Sequence, residues 1–300
     1  MNQKSVVQLN SFQKKRHWRK RDFVTEVLIP SIFAKRVGSP QKIFLPPLKQ
    51  NQVCLTWIGH ASFLLQTSEL NILIDPNWAN WILVFRRLRH AGIEIQQLPH
   101  IHVVLITHAH FDHLHKPSLK KIASKQLAIV PKGVAGLIKN LGFQNIIEMD
   151  WWDTYQIGEN RITFIPVRHW GARLLFDKNK LYGGFHISTP YHSILHLGDT
   201  TYFPGFEEIG RRLKPHIVLM PIGSYDTPSR RDNHIDPERA VQAFIELQAR
   251  WLIPMHFGTY RLSYEPLYEP LNWLVYAASR AGILDQLRIL FEGIPEVFTS

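Results

Sequence analysis

The chain has 300 residues, 45% hydrophobic and 20% charged, a composition that excludes a mainly disordered or fibrous protein. Cys54 is its one cysteine, so an intramolecular disulfide and a cysteine-rich zinc site are both excluded, and a reducing, cytoplasmic location is expected. The formal charge is +11, but residues 1–50 carry +9 of it and residues 51–300 only +2.

In chain order, Met1 to Arg21 has no apolar core of signal-peptide length, and no run of about 18 apolar residues occurs anywhere, so no spanning helix is expected. The densest basic stretch runs from Lys14 to Arg21. It reads either as a solvated arm or as a contact for an anionic surface. Residues 1–50 are expected to be a basic appendage and linker, with one short helix over Val24–Phe33 and an extended stretch over Gln41–Gln52. Val53–Ile58, Ser62–Gln66 and Asn71–Asp75 then read as an antiparallel meander. His102–Thr107 is a β-branched apolar run, and Pro117–Lys125 reads as a helix.

Strand and helix signals alternate beyond that point. Strands are expected at Leu127–Val130, Arg161–Val167, Leu181–Ser188, Ser193–Leu197, Ile217–Met220 and Trp251–Met255. Helices are expected at Val134–Asn140, at Pro237–Gln248 with Asp236 as N-cap, and at Leu271–Ala281 with Gly282 as its stop. Meander and alternation together predict mixed sheets covered by helices, an α+β domain over residues 51–300.

The sharpest chemical signal is Thr107-His108-Ala109-His110-Phe111-Asp112-His113. It follows a strand, so His108 and His110 leave an extended backbone on the same side. Imidazole nitrogen and carboxylate oxygen are both good zinc ligands. One such cluster offers too few donors for two metal shells, so further ligands are expected at other strand ends. His169, Asp199 and His256 each follow an apolar strand with a glycine nearby. Asp75, at the end of another strand, and His60 are candidates to orient the ligands from behind. His234, in a loop before the Pro237 helix, is a candidate to bind substrate phosphate, and Ser224 and Tyr225 to donate at the site edge.

His-x-His-x-Asp-His followed by lone His, Asp and His resembles the metallo-β-lactamase superfamily. Thr56-Trp57-Ile58-Gly59-His60-Ala61, Phe206-Glu207-Glu208-Ile209-Gly210, Pro221-Ile222-Gly223-Ser224-Tyr225, His234-Ile235-Asp236-Pro237-Glu238 and His256-Phe257-Gly258-Thr259 narrow the likeness. They resemble the branch of N-acylphosphatidylethanolamine-hydrolysing phospholipase D and its bacterial relatives. The resemblance implies an αβ/βα four-layer sandwich, two mixed sheets flanked by helices. It also implies two zinc ions, with manganese or iron as alternatives. One would be held by His108, His110 and His169, the other by Asp112, His113 and His256, with Asp199 bridging. Two such ions can share a hydroxide that attacks a phosphodiester, with Asp112 positioning it or taking a proton.

Residues 76–98 add one feature. Trp78, Trp81 and Phe85 sit beside Arg86 and Arg87, which describes either an interfacial membrane and substrate-entrance segment or a buried helix with a basic end. The expectation is therefore a phosphodiesterase acting on a phospholipid, in peripheral contact with an anionic inner-membrane surface. A lactonase or nuclease on the same scaffold is the alternative, and a binding module without metals is a third. The near-neutral main body and the lack of an RNA-binding motif disfavour nucleic acid. The sequence does not fix the oligomeric state.

Overall fold

The computed structural model describes residues 21–39, 45–173, 177, 179–229 and 231–300. The basic stretch from Lys14 to Lys20 and part of the expected linker lie outside those residues. The first half of the chain lays down β1 (Gln52–Gly59), β2 (Ser62–Gln66), β3 (Asn71–Ile74), β4 (Trp81–Ile82), β5 (Phe85–Arg86), β6 (Val103–Leu105), β7 (Leu127–Pro131) and β8 (Asn145–Met149). The second half adds β9 (Thr154–Ile157), β10 (Asn160–Ile165), β11 (Gly184–Ser188), β12 (Ser193–His196), β13 (Ile217–Pro221), β14 (Trp251–Met255) and β15 (Pro295–Thr299).

Two mixed sheets result, ordered β15-β1-β2-β3-β6-β7-β8 and β14-β13-β12-β11-β10-β9. The first is antiparallel from β15 to β3 and parallel from β3 to β8. The second is parallel from β14 to β12 and antiparallel from there to β9. Strand alternation separates the faces of the first sheet. Leu55, Trp57, Phe63, Leu65, Ile72 and Ile74 join the core shared with the second sheet. Ile58, Leu64, Leu73 and Val104 point the other way, onto Leu119 and Ile122 of the helix Lys116–Ile122. The helices Phe206–Leu213, Pro237–Leu247 and Glu269–Arg280 cover the second sheet with Phe206, Phe244 and Leu274. The expected α+β sandwich of two mixed sheets flanked by helices is what forms.

Several elements differ from the sequence reading. The expected helix at Val134–Asn140 is one 3-10 turn, Ala135–Leu137. The helix Phe206–Leu213 was not expected, although its acidic first turn (Glu207, Glu208) and basic last turn (Arg211, Arg212) complement the helix dipole. β15 was also missed, because its partner β1 lies some 240 positions earlier in sequence, where no local signal reaches. The helix expected over Val24–Phe33 does form, as a π-helical turn, Val24–Leu28, that runs into the α-helix Ile29–Phe33. It is docked: Val27 is fully buried and Arg21 pairs with Asp226 at 2.7 Å.

Residues 81–86 are not the buried helix of the second reading but a tight β4–β5 hairpin whose tip, Leu83 and Val84, is exposed. Trp78 turns inward, its indole N–H donating to Ile93 O at 2.7 Å. Arg87 corrects the expectation of an entrance residue. It is 2% exposed and donates to Asn77 O (3.1 Å), Ile58 O (3.3 Å), Arg89 O (2.8 Å) and the Tyr260 hydroxyl (3.0 Å). Gly59 makes room for it, since a Cβ there would lie 2.7 Å from Arg87 Nη2. One buried guanidinium thus ties the hairpin to the β1–β2 turn and to the β14 exit. Replacing Arg87 with Met leaves these buried oxygens unpaired and should lower the unfolding free energy by about 3 kcal/mol in urea denaturation; a loss below about 1 kcal/mol contradicts this role.

Candidate metal centre

The candidate residues arrive from separate strand ends of both sheets. Asp75 follows β3, the 108–113 run follows β6, His169 follows β10, Asp199 follows β12 and His256 follows β14. His60 sits in the turn between β1 and β2. His60, Asp75, Ser224 and His256 all adopt positive φ, at 56°, 43°, 63° and 59°. Non-glycine residues pay for that conformation, and such strain clusters where side chains must be aimed. Gly198 (φ 63°) sets up Asp199. A Cβ at Gly198 would meet Gly183 O at 2.7 Å and Thr107 Cβ at 2.9 Å.

Two donor groups converge on Asp199. In the first, His110 Nδ1 lies 2.8 Å from His108 Nε2 and 3.3 Å from His169 Nε2. Asp199 Oδ2 is 3.7 Å from both of those Nε2 atoms. In the second, Asp112 Oδ2 lies 3.6 Å from His113 Nε2 and 3.5 Å from His256 Nε2. Asp199 closes this group as well, Oδ2 to His113 at 3.2 Å and Oδ1 to His256 at 3.1 Å. Four donors held tetrahedrally around zinc at its usual bond lengths are about 3.3 Å apart. Both groups have close to that spacing. Within them His113 Nε2, His256 Nε2 and Asp199 Oδ1 are buried with no hydrogen-bond partner among the described residues. Buried polar atoms are normally paired, so lone pairs gathered in this way fit a cation. The donor set therefore fits bound metal.

A surrounding layer aims the imidazoles. Asp75 accepts from Thr107 N (2.7 Å) and Thr107 Oγ1 (2.6 Å) and pairs with His113 Nδ1 at 2.7 Å, which directs His113 Nε2 to the cluster. Thr107 Oγ1 also lies 3.0 Å from His108 Nδ1, and His169 Nδ1 donates to Asn233 O at 3.0 Å. His60 Nε2 is 3.0 Å from Asp112 Oδ2. His234 Nδ1 is buried with no hydrogen-bond partner among the described residues, 3.8 Å from Asp199 Oδ2, too far for a hydrogen bond. Sequence reasoning gave Thr107 no role and missed Asn233. Thr107 had a signal, since it immediately precedes the cluster; Asn233 acts through its backbone carbonyl, which sequence does not reveal.

The electrostatics are polarised. Burial favours the neutral carboxyl, but His113 and other imidazoles outweigh it and hold Asp112 and Asp199 well below the usual range. Burial works against protonation of His113 too, but Asp199, Asp112 and Asp75 hold it well above its ordinary value. For His256 the same contest, won by Asp199 and Asp112, ends at about 9. His108 and His169 are pushed well below by burial, His60 to about 3 and His234 to about 4 by the same cause. The two carboxylates thus favour protonation of His113 and His256, while burial disfavours it on the other rings.

A cleft of about 340 Å³ opens onto His110, Asp112, Asp199 and His234. Leu83, Phe85, Phe111, Trp170 and Leu262 form much of its wall, and Ser224 lies at its edge. Tyr225 does not serve as an edge donor here, because its hydroxyl donates to Glu269 at 2.9 Å. Trp81 is exposed on the hairpin beside the cleft, and Arg86 donates to the carbonyls of Ile32 and Ala34, clipping the N-terminal helix to that hairpin.

A family model described as a beta-lactamase superfamily domain matches residues 70–257. The mitochondrial N-acyl-phosphatidylethanolamine-hydrolyzing phospholipase D of Saccharomyces cerevisiae is 31% identical over 249 residues, 77% of this chain but 53% of the yeast protein. A UPF0173 metal-dependent hydrolase of Koribacter versatilis is 30% identical over 213 residues, 69% of this chain and 84% of that protein. An isothiocyanate hydrolase from Delia radicum gut bacteria superposes with a TM-score of 0.70 at 20% identity, covering 82% of this chain and all of that one; that likeness concerns the fold.

A metal held by His113 and His256 would compete with the protons that the neighbouring carboxylates favour on these rings. Loading the metal-free protein at pH 7 should release about two protons per chain, and affinity should fall as pH drops further below the raised pKa of these groups. Calorimetric titration with zinc in buffers of different ionisation enthalpy measures that number; no proton release contradicts the charge pattern.

Proposed function

We propose a phosphodiesterase function, on the premise that the chain belongs to the beta-lactamase superfamily and is a metal-dependent hydrolase. The substrate is a phospholipid of the N-acylphosphatidylethanolamine class. One observation carries this reading: the cleft that ends on the His/Asp cluster has an apolar wall. Such a wall suits a molecule with hydrocarbon chains and a polar reacting centre. The activity in the name of the yeast relative supports the same class.

In this reading His108, His110 and His169 hold one ion, Asp112, His113 and His256 the other, and Asp199 both. Zinc is the first choice, and manganese or iron are alternatives for a histidine–carboxylate donor set. When bound, the ions supply Lewis acidity at the phosphoryl oxygen and a water acidic enough to attack near neutral pH. The protein positions the reactants. Asp112 is ionised, partly exposed to the cleft and fixed by His60, so it accepts the hydrogen bond that orients the attacking water. Asp75 keeps His113 in the tautomer whose Nε2 faces the cluster. His234 is neutral at pH 7 and offers its N–H to a phosphoryl oxygen at the cleft wall.

The same reading includes peripheral contact with an anionic membrane. Trp81, Leu83 and Val84 are exposed at the hairpin, at 46%, 68% and 55%, and Ile32 and Phe33 are exposed on the helix clipped to it. Exposed aromatic and aliphatic side chains beside cations suit a bilayer interface. No helix among the described residues is long and apolar enough to cross a membrane.

The zinc-loaded protein should release phosphatidic acid from N-acylphosphatidylethanolamine and cleave a bis-aryl phosphodiester, with His110→Ala inactive on both. Opening of a lactone without either activity would replace this reading by a lactonase. In flotation with vesicles containing anionic phospholipid, wild type should rise with the lipid and Trp81→Glu should stay in the dense fraction; equal recovery of the two would remove the membrane contact.

A further inference from the structure

The floor of the cleft carries two carboxylates, Asp112 and Asp199, and among its described lining residues one side chain has a permanent positive charge, Arg173. Arg173 is half-buried and lies in the loop that follows His169 and Trp170. Its Nη1 donates to Ala109 O at 2.7 Å and to Leu114 O at 2.9 Å. Those carbonyls flank the turn that carries His110, Asp112 and His113, so one nitrogen grips both ends of it. The guanidinium carbon lies 4.0 Å from the Phe111 ring centroid, which fixes its plane at the cleft wall. Nε and Nη2 make no hydrogen bond among the described residues. A guanidinium is a planar fork whose remaining edge matches two oxygens of a phosphate, which a point charge does not.

We propose that Arg173 recognises the anionic phosphoryl group of the substrate. Its Nε/Nη2 edge holds the non-bridging oxygens while Nη1 keeps the two carbonyls. This rests on the phosphodiesterase reading and adds to it the group that reads substrate charge. It also means that phosphate capture and the posture of the ligand-bearing turn share one side chain. A purely structural clip is the competing role, and Lys at this position separates the two. Its ammonium can still reach the carbonyls but has no second edge to offer.

The test uses the full-length, zinc-loaded chain as wild type, Arg173→Lys and Arg173→Gln. It reads zinc content, calorimetric affinity for inorganic phosphate, and kinetics on bis(p-nitrophenyl) phosphate. Arg173→Lys should keep wild-type zinc content and kcat within about twofold, while phosphate Kd and diester KM both rise about tenfold, the scale of one charge-assisted hydrogen bond. Arg173→Gln should weaken phosphate further. Wild-type phosphate affinity in Arg173→Lys, zinc loss in step with phosphate loss in both variants, or no phosphate binding by wild type would each overturn the proposal. If wild type binds phosphate, loses it in Arg173→Lys and yet leaves the diester intact, the reaction assignment falls while the anion-recognition role stands.

Discussion

Asp199 is the point on which the two sheets agree. Its carboxylate, nearly out of water, faces imidazoles delivered by β6, β10 and β14 and lies within 3.8 Å of His108, His113, His169, His234 and His256. A desolvated carboxylate is costly unless positive charge surrounds it, and desolvated imidazoles resist protonation unless negative charge does. Each element supplying a ring therefore depends on the others for its charge state. The same mutual need explains why the cluster suits cations.

That arrangement demands accuracy that regular strands do not provide. Side chains leaving a strand alternate across the sheet, whereas the site needs them swung over its edge. The chain achieves this with abrupt backbone turns after the strands, so that His60, Asp75, Ser224 and His256 occupy left-handed conformations. Gly198 accepts a backbone contact that a Cβ would crowd at 2.7 Å, and Gly59 leaves room for the Arg87 guanidinium. The cost of these turns is offset by the apolar core between the sheets, where Leu55, Phe63, Phe164 and Phe185 are fully buried. Arg87 contributes in another way, tying three loops through neutral oxygens rather than through an ion pair.

Around the cluster, polarity changes over a few ångströms. The floor is imidazole and carboxylate, the wall is aromatic and aliphatic, and Arg173 stands where the two meet. The N-terminal helix and the β4–β5 hairpin extend the apolar wall outward to the surface, joined by Arg86. The cleft thus presents a charged, polar floor and an apolar wall within one opening.

Much of this was legible in the linear chain, for physical reasons that can be named. β1, β2 and β3 declare themselves through short apolar runs broken by turn residues. The helix Pro237–Leu247 declares itself through Asp236, whose side chain does accept from Arg239 N, and a proline in its first turn. The cluster from His108 to His113 is dense enough in sequence to reveal metal chemistry, and the apolar strands before His169, Asp199 and His256 mark them as edge residues. These signals are local, or repeat a single local rule. What the fold alone decided is everything that depends on distant partners: the pairing of β15 with β1, the inward turn of Arg87, the carbonyl of Asn233 behind His169, and the placement of Arg173 in the cleft. Sequence records which groups are available, but a contact between residues far apart along the chain exists only once packing has chosen which faces meet.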